Sequence, residues 1–211
     1  MKKLIRYIIY GVGIKWQNTS LFVNSAYSKA IFNLRGVSIG HGCKFFGKTF
    51  TKFHPDSIIN IGSNCTFRSS FSSNTIGLKQ KCFLSAGRGA YLFIGDDCGL
   101  SGTVISAEKS IIIGERVFCG ANVTICDSDR HPIDSILRAK GGKGDVAPVC
   151  IENDVWIGMN SVVLKGVSIG KGTVIGANSV VNKDIPANVI AAGVPAKVIR
   201  NIEDMSDNDN L

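Results

Sequence analysis

A strict six-residue period between residues 151 and 181 constrains the fold of this chain more than any other feature. Branched apolar residues recur at this spacing: Ile151, Ile157, Val163, Ile169, Ile175 and Val181. Small or branched residues stand four positions later: Val155, Ser161, Val167, Thr173 and Ser179. Helices favour a period near 3.6 and flat strands a period of two, so neither fits. A period of six predicts a triangular coil with one short strand and one corner per hexapeptide, in which glycine relieves the corners and the apolar side chains point inward.

The same signature is more ragged in the earlier part of the chain. Ile-Gly pairs at residues 39–40, 61–62, 94–95 and 113–114 predict further corners, and their uneven separations predict small loops between the early coils. Residues 127–148 lack the repeat, contain several glycines and charges, and precede its return at Val149. We therefore expect a loop that leaves one corner, with a short helical turn near residues 133–139. About seven coils at strand spacing predict a prism about 30 Å tall.

Three segments follow from this pattern: an N-terminal helical or capping segment at 1–36, a coiled domain at 37–186, and a C-terminal extension at 187–211. Residues 1–16 mix cations with apolar side chains in a run too short to cross a bilayer. This segment is expected either to cap the open end of the coil or to lie on the inner membrane surface. Near the C-terminus, Pro195 is expected to turn a basic segment back along the prism, followed by a polar tail from residue 203.

The amino-acid composition narrows the range of possible binding partners. The net charge of +8 indicates an anionic partner, such as a phosphorylated cosubstrate or a membrane surface. Nucleic acid fits least well, because no basic run is interleaved with aromatic residues. The seven cysteines include no Cys-x-x-Cys pair, so neither a zinc site nor a disulfide framework is indicated. Cys43, Cys65 and Cys98 occupy small-residue positions of the repeat and are predicted to be buried thiols, which favours a reducing cytoplasm.

Residues 151–186, the closing segment 191–200 and the DSDRHP sequence at 127–132 together resemble the hexapeptide-repeat acyltransferases, most closely the sugar O-acetyltransferases of that family. The resemblance covers roughly residues 37–200. It implies an all-β, left-handed parallel β-helix, an exception to the right-handed crossover rule. It also implies a homotrimer with active sites between neighbouring prisms and acetyl-CoA as the donor.

Acetyl transfer to a hydroxyl needs a base for the hydroxyl proton and a donor for the developing oxyanion. His131 lies on the long loop and matches the catalytic histidine of the family, whereas His41 and His54 are expected to be ordinary surface residues. Asp127 and Asp129 are candidates to orient the imidazole or to bind acceptor hydroxyls, and the alternative is that they cap turns. By resemblance Ser101 contacts the acceptor, although a corner serine is equally consistent with its position.

The resemblance also supplies donor-binding candidates. Gly120, Trp156 and Ala177 are implied to line the acetyl-CoA channel, with the turn at Asn182 and Lys183 near its nucleotide end. Lys197 and Arg200 fall where relatives place cations that bind phosphate. The alternative for this set is that Trp156 covers a corner and that the cations are only solvated.

These observations predict an acetyl-CoA-dependent O-acetyltransferase acting on a sugar of a bacterial cell-surface polysaccharide, such as O-antigen, capsule or exopolysaccharide. N-acetylation of an amino sugar or its nucleotide is the alternative within the class. From other classes, a non-catalytic scaffold and a γ-type carbonic anhydrase share this coil. The carbonic anhydrase needs three converging histidines on a metal. The three histidines of this chain are widely separated, and no metal is expected.

Overall fold

The structure is a computed structural model that describes residues 2–202, so the predicted polar tail from residue 203 lies outside the described residues. A long helix α1 (Lys2–Leu34) precedes the coil, a single 3₁₀ turn spans Phe71–Ser73, and a short helix α2 spans Ser135–Ala139. The first strands are β1 (Ser38–Ile39), β2 (Lys44–Phe46), β3 (Phe50–Phe53), β4 (Ile58–Ile61), β5 (Thr66–Arg68), β6 (Phe83–Ala86), β7 (Tyr91–Ile94), β8 (Gly99–Ser101), β9 (Val104–Ala107) and β10 (Ser110–Ile113). The remaining strands are β11 (Phe118–Cys119), β12 (Thr124–Cys126), β13 (Val149–Ile151), β14 (Trp156–Ile157), β15 (Val162–Val163), β16 (Ser168–Ile169), β17 (Val174–Ile175), β18 (Val180–Val181), β19 (Val189–Gly193) and β20 (Ala196–Asn201).

Every third strand pairs in parallel, which builds a prism with three faces. Face 1 has the order β1-β4-β7-β10-β13-β16, and face 3 contains β3, β6, β9, β12, β15 and β18. Face 2 runs β2-β5-β8-β11-β14-β17-β19-β20, and only its last pair is antiparallel. Edge 1/2, edge 2/3 and edge 3/1 denote the corners between successive faces in chain order. The predicted left-handed parallel β-helix is confirmed.

The interior follows the period of six. The six branched residues of the C-terminal repeat are all fully buried: Ile151, Ile157, Val163, Ile169, Ile175 and Val181. Parallel pairing sets Ile151 against Ile113 on one side and Ile169 on the other, so identical positions stack coil upon coil. Each such side chain contributes roughly 1.5–3 kcal/mol of burial. The prism is therefore stabilised additively along its length.

Helix α1 closes the prism with its second half. Phe32 is buried edge-on against Phe45 at 5.4 Å between ring centroids, and Phe45 stacks on Phe67 at 4.7 Å. The hydroxyl of Ser25 accepts a hydrogen bond of 3.0 Å from the Phe45 amide. Among the described side chains of the helix, those that cap the prism lie in residues 21–34. None of the described helices contains an apolar stretch of the length needed to span a bilayer.

Two loops leave the regular coil, one at residues 69–82 on edge 2/3 and one at 127–148 on edge 3/1. The described residues form six complete coils, and Ile185 begins a partial seventh by pairing with Ile169. The chain then ends in the β19–β20 hairpin, whose turn contains a cis bond between Val194 and Pro195. The predicted turn at Pro195 is confirmed.

Candidate active site

His131 lies near the start of the loop on edge 3/1, and its side chain is exposed. The backbone around it is tightly framed: the His131 amide donates to the Asp129 carbonyl at 2.7 Å, and Arg130 has a left-handed φ of 64°. A Cβ atom on Gly144 would lie only 2.7 Å from both the amide nitrogen and the carbonyl oxygen of His131. The return limb of the loop can therefore support His131 at this distance only with glycine.

Asp127 stands at the root of the loop and is fully buried. One carboxylate oxygen accepts the Glu108 amide at 2.7 Å, and the other accepts the amides of Lys109 and Ser110 at 2.7 and 2.8 Å. The carboxylate thus caps the turn of the preceding coil. This geometry favours the alternative that Asp127 caps a turn, because its buried carboxylate is already engaged with three amides, and a direct role of Asp127 in the site stays a prediction.

Asp129 has a different partner from the one expected. Its carboxylate forms an ion pair of 3.2 Å with Lys165, which lies on edge 3/1 of the next coil, and both side chains are partly exposed. Within residues 2–202, no hydrogen bond joins the Asp129 carboxylate to the His131 ring. Asp129 therefore acts on His131 only indirectly. Its ion pair with Lys165 holds the loop to the next coil and so fixes the backbone that carries His131.

Arg130 is a neighbouring residue that the sequence reasoning missed. Its guanidinium binds the Glu108 carboxylate and the Ser106 hydroxyl. These three side chains close one end of a groove of about 510 Å³ on face 3, which continues toward Lys52 and His54 on the first coil. This contact depends on the register of β9 and β12, which sets Cys126 beside Ser106 and so brings Arg130 near Glu108. The sequence alone does not give that register.

A second groove, of about 350 Å³, lies on face 2 and collects three of the predicted residues. Ser101, Gly120 and Trp156 line it together with Phe118 and Arg68. Trp156 is 56% exposed and pairs with Phe118 across neighbouring strands, whereas Ser101 is 9% exposed. The groove is therefore walled by aromatic rings and has a buried serine at its edge.

The predicted phosphate-binding cations lie on the outer strand of the same face. Lys197 pairs with Ala192, and Arg200 pairs with Ile190. Residues three apart on a regular strand point to opposite sides. A register shift between Ile190 and Ala191 removes that difference here, so that Lys197 and Arg200 share the outward side of face 2.

The remaining residues that were predicted to bind the donor lie on two different edges of the prism. Ala177 is exposed on edge 2/3, in line with Gly120. Asn182 and Lys183 are exposed on edge 3/1, below the His131 loop and one full face away from Gly120. Within a single chain the whole width of face 3 separates this turn from Gly120 and Ala177. Its predicted place at the channel therefore requires a neighbouring chain and stays a prediction.

The candidate residues thus form two groups on different edges. His131, Asp129 and Lys183 lie on edge 3/1, and Ser101, Gly120, Trp156 and Ala177 lie on face 2 or edge 2/3. A face is roughly 20 Å of extended chain wide. Among the described residues, no cluster of three or more His, Cys, Asp or Glu side chains could hold a metal ion.

The chain is similar to known acyltransferases. Residues 151–183 match the family model described as bacterial transferase hexapeptide (six repeats). A galactoside O-acetyltransferase of Lactococcus lactis is 41% identical over 144 residues, which are 68% of this chain and 63% of that protein. The galactoside O-acetyltransferase of Escherichia coli is 48% identical over 97 residues, covering 46% of this chain and 47% of the relative. The chain thus spans about half the length of the curated relatives it matches.

The fold has a solved counterpart in an N-acyltransferase from Bacillus cereus. That structure, a complex with dTDP and 3-hydroxybutyryl-CoA, aligns with a TM-score of 0.65 and covers 90% of this chain and 95% of its own. At 19% sequence identity, this alignment shows a similar fold and nothing more. The repeat, the loop on edge 3/1 and the galactoside O-acetyltransferase relatives agree with one another, and the chain carries the hexapeptide repeat and is similar to the acyltransferases built on it.

Proposed function

We propose that this protein is an acetyl-CoA-dependent O-acetyltransferase that modifies a sugar of a bacterial cell-surface polysaccharide, such as O-antigen, capsule or exopolysaccharide. The observation that carries the proposal is His131, an exposed imidazole on a loop whose backbone is fixed by Gly144. The similarity to galactoside O-acetyltransferases supports acetyl transfer to a sugar hydroxyl. The proposed location is the cytoplasm, because all seven cysteines are free thiols that a reducing compartment preserves.

The donor side of the proposed site is face 2 with edge 2/3. The exposed rings of Phe118 and Trp156 offer apolar surface to a pantetheine arm. Lys197 and Arg200 lie on the same outward side at the C-terminal end of the prism, where they can bind the phosphates of coenzyme A. Aromatic walls with cations beyond them suit a ligand that is apolar at one end and anionic at the other.

The acceptor side is the groove on face 3 that ends at Arg130. Its polar lining includes the hydroxyls of Ser85 and Ser106, which are 2.8 Å apart, and the carboxylate of Glu108. Phe83 adds an aromatic ring to the same groove. Hydroxyl and carboxylate groups beside a ring match the alternating polar and apolar surface of a sugar, and the groove leads to the edge that carries His131.

In this arrangement His131 acts as general base. The neutral imidazole removes the proton of the acceptor hydroxyl while the oxygen forms a bond to the thioester carbonyl carbon. The tetrahedral intermediate then expels the sulfur, and the imidazolium returns the proton to the departing thiolate. Asp129 and Lys165 take no part in the proton transfer, but their ion pair ties the loop to the next coil and so positions His131.

The division of the site between two edges supports a homotrimer. Edge 3/1 of one prism carries His131, and edge 2/3 with face 2 carries the donor groove, so neighbouring prisms around a threefold axis can bring the two together. Each face also exposes large apolar side chains, such as Ile58 on face 1, Trp156 on face 2 and Phe50 on face 3. Such surfaces favour symmetric association.

The direct test is a transfer assay with acetyl-CoA and a panel of sugars, with coenzyme A release measured as free thiol and the product identified by mass spectrometry. A galactoside and the matching 2-amino sugar form the critical pair, since they separate O-acetylation from N-acetylation. Acetyl-CoA hydrolysis without any acetylated sugar in the panel, or acetylation of the amino sugar alone, would contradict the proposed O-acetyltransferase.

Subunit mixing tests the composite site. His131→Ala and Trp156→Glu are each expected to abolish activity, the first by removing the base and the second by placing a negative charge in the donor groove. When the two variants are unfolded together and refolded, mixed trimers regain a fraction of wild-type sites, and activity returns. Refolding each variant alone is the control. A mixture that stays as inactive as its parents, although it forms trimers by light scattering, would place the complete site within one chain.

A further inference from the structure

We propose that the N-terminal half of α1, together with the cations around the first coil, docks on an anionic lipid surface. The second half of the helix is occupied in capping the prism, whereas the described side chains before residue 20 are exposed. Tyr7 is 65% exposed, Tyr10 is 69% exposed and Ile5 is 49% exposed. Residues 3–13 of this helix, in which every described side chain is exposed, correspond to about 16 Å of rod.

Charge identifies the kind of partner. The first 55 residues contain nine Lys or Arg and no Asp or Glu, whereas residues 56–211 carry 15 cations and 16 acids. The cations of this acid-free end lie on the helix and on the first coil: Lys2, Lys3, Arg6, Lys15, Lys29, Arg35, Lys44, Lys48 and Lys52. The whole positive net charge of the protein is therefore gathered at the end from which the helix projects.

The sequence of this N-terminal half of the helix also indicates that it binds a partner. Gly11 and Gly13 sit within the helix, and a Cβ atom on either would meet nothing within 4 Å. Glycine disfavours the helix relative to alanine, and isolated helices of this length are marginal in water. An apolar interface that takes up Ile5 and Val12 on one side of the helix, with Tyr7 and Tyr10 on the side toward the headgroups, would supply the missing stabilisation.

A lipid surface fits better than the other occupants. A second copy of the helix would bring like charges together without a single carboxylate to compensate them. A nucleic acid would satisfy the charge but would leave the apolar side chains Ile5 and Val12 without a suitable environment. Lysines and arginines that reach toward headgroups, with tyrosines at the interface and aliphatic residues below, are typical of helices lying on anionic membranes.

The test is flotation of the full-length protein with vesicles of phosphatidylcholine alone or with about a third of phosphatidylglycerol. We expect binding to the anionic vesicles, weakened by salt, and little binding to the neutral ones. Lys3→Glu with Arg6→Glu is expected to weaken binding at least 30-fold, since each cation near the surface contributes roughly fivefold. Tyr7→Ser with Tyr10→Ser tests the apolar contribution at constant charge and is expected to weaken binding several-fold.

Lys109→Glu with Lys171→Glu is the matched control, because it makes the same change in net charge on exposed residues of the prism. This control is expected to keep most of the vesicle binding. Equal losses in both double variants would reduce the effect to net charge and overturn the proposal. An unaffected tyrosine double variant that binds heparin as tightly as vesicles would point to a soluble polyanion. A tyrosine double variant with a smaller mass by light scattering would point to self-association through the helix.

Discussion

Edge 2/3 and edge 3/1 are built from the same repeat, yet they differ in what their side chains do. On edge 2/3 the coils approach so closely that a Cβ on Gly120 would lie 2.7 Å from the Met159 amide nitrogen. Asn122, Asn160 and Asn178 all have left-handed backbones there and are linked in a ladder by side-chain hydrogen bonds of 3.2 and 3.1 Å. The edge is closed by contacts between neighbouring coils.

Edge 3/1 is instead joined by charged side chains. Arg88 binds Asp56 at 3.1 Å across the first two coils, Arg130 binds Glu108, and Lys165 binds Asp129. Exposed ion pairs contribute little to stability, typically below 1 kcal/mol each. In this repeat, contacts between coils stabilise one edge, whereas another edge can carry the loop with the proposed chemistry. Substitutions on the two edges should therefore affect different measurements.

The largest expected effect is on activity at edge 3/1. His131→Ala removes the proposed base and should lower kcat by about 10² to 10⁴, because general acid–base assistance has this magnitude. The thermal midpoint should stay near that of the wild type, since the imidazole is exposed. Activity with acetyl-CoA and a saturating acceptor, measured beside circular dichroism, checks both expectations. A folded variant that turns over at the wild-type rate would remove His131 from the chemistry.

The second prediction is an exception to this division between the edges, because Asp127 lies on edge 3/1 but contributes to stability. Asp127→Ala leaves three amides without their acceptor, and we expect a loss of about 3 kcal/mol in the free energy of unfolding, or more. Lowering of the thermal midpoint by roughly 6–12 °C would follow for a chain of this length. Asp129→Ala, which removes only a partly exposed ion pair, serves as the comparison and should cost less than about 1 kcal/mol. Equal losses in the two variants would contradict the capping role.

A smaller effect tests the closed edge. Gly158→Ala places a Cβ 2.7 Å from the Gly176 carbonyl carbon, and the strain should cost about 1–3 kcal/mol in unfolding free energy. Gly11→Ala is the matched control in open space and should be neutral or slightly stabilising, because alanine favours the helix. Chemical denaturation of both variants measures the difference in the free energy of unfolding. Identical midpoints would mean that the coils on edge 2/3 can separate without cost.

Lys197 and Arg200 should act on donor affinity. Their joint replacement by alanine should raise the KM for acetyl-CoA by about three- to tenfold and leave kcat unchanged, because solvent-exposed charge contacts have modest energies. Val198→Ala, between them on the same strand, is the control. A donor KM that does not move would mean that the two cations only keep the protein soluble.

The smallest expected effect concerns the thiols of the interior. Burial raises the pKa of Cys119 to about 12, and burial also raises the pKa of Cys82. Folded protein should therefore show no reaction of these two thiols with a disulfide reagent at pH 8, and reaction should follow unfolding. Because the unfolded thiols lose protons near pH 9 while the folded ones retain them, stability should fall as pH rises above about 9. Rapid labelling of Cys119 in native protein would contradict this burial.

The coil could be predicted well from the sequence because its signal is local and repeated. The positions of Ile157 and Ser161 each recur once per hexapeptide, and both are fully buried. The burial of Cys43, Cys65 and Cys98 is likewise confirmed. The full length of α1 was less evident, because its second half is held by contacts with the first coil and has no strong periodicity of its own.

The site was less predictable because its contacts join residues from different coils. Asp127 caps amides that lie 17 to 19 residues earlier in the chain, and Lys165 meets Asp129 from the coil below. The outward alignment of Lys197 and Arg200 depends on a single register shift. Such details require the stacking register, whereas the type and approximate place of His131 required only the break in the repeat.

The acid-free end has a geometric consequence if it rests on lipid. The first coil would then stand above the headgroups, with the following coils stacked along the axis at about 4.8 Å each. His131 leaves the fourth coil, so it would sit at least about 14 Å above the first. The height of the prism would then fix the distance between the membrane and the active site. A membrane-anchored saccharide could be acetylated only at a sugar far enough from its anchor to reach that height. The position of the modified sugar along the chain would be set by the number of coils.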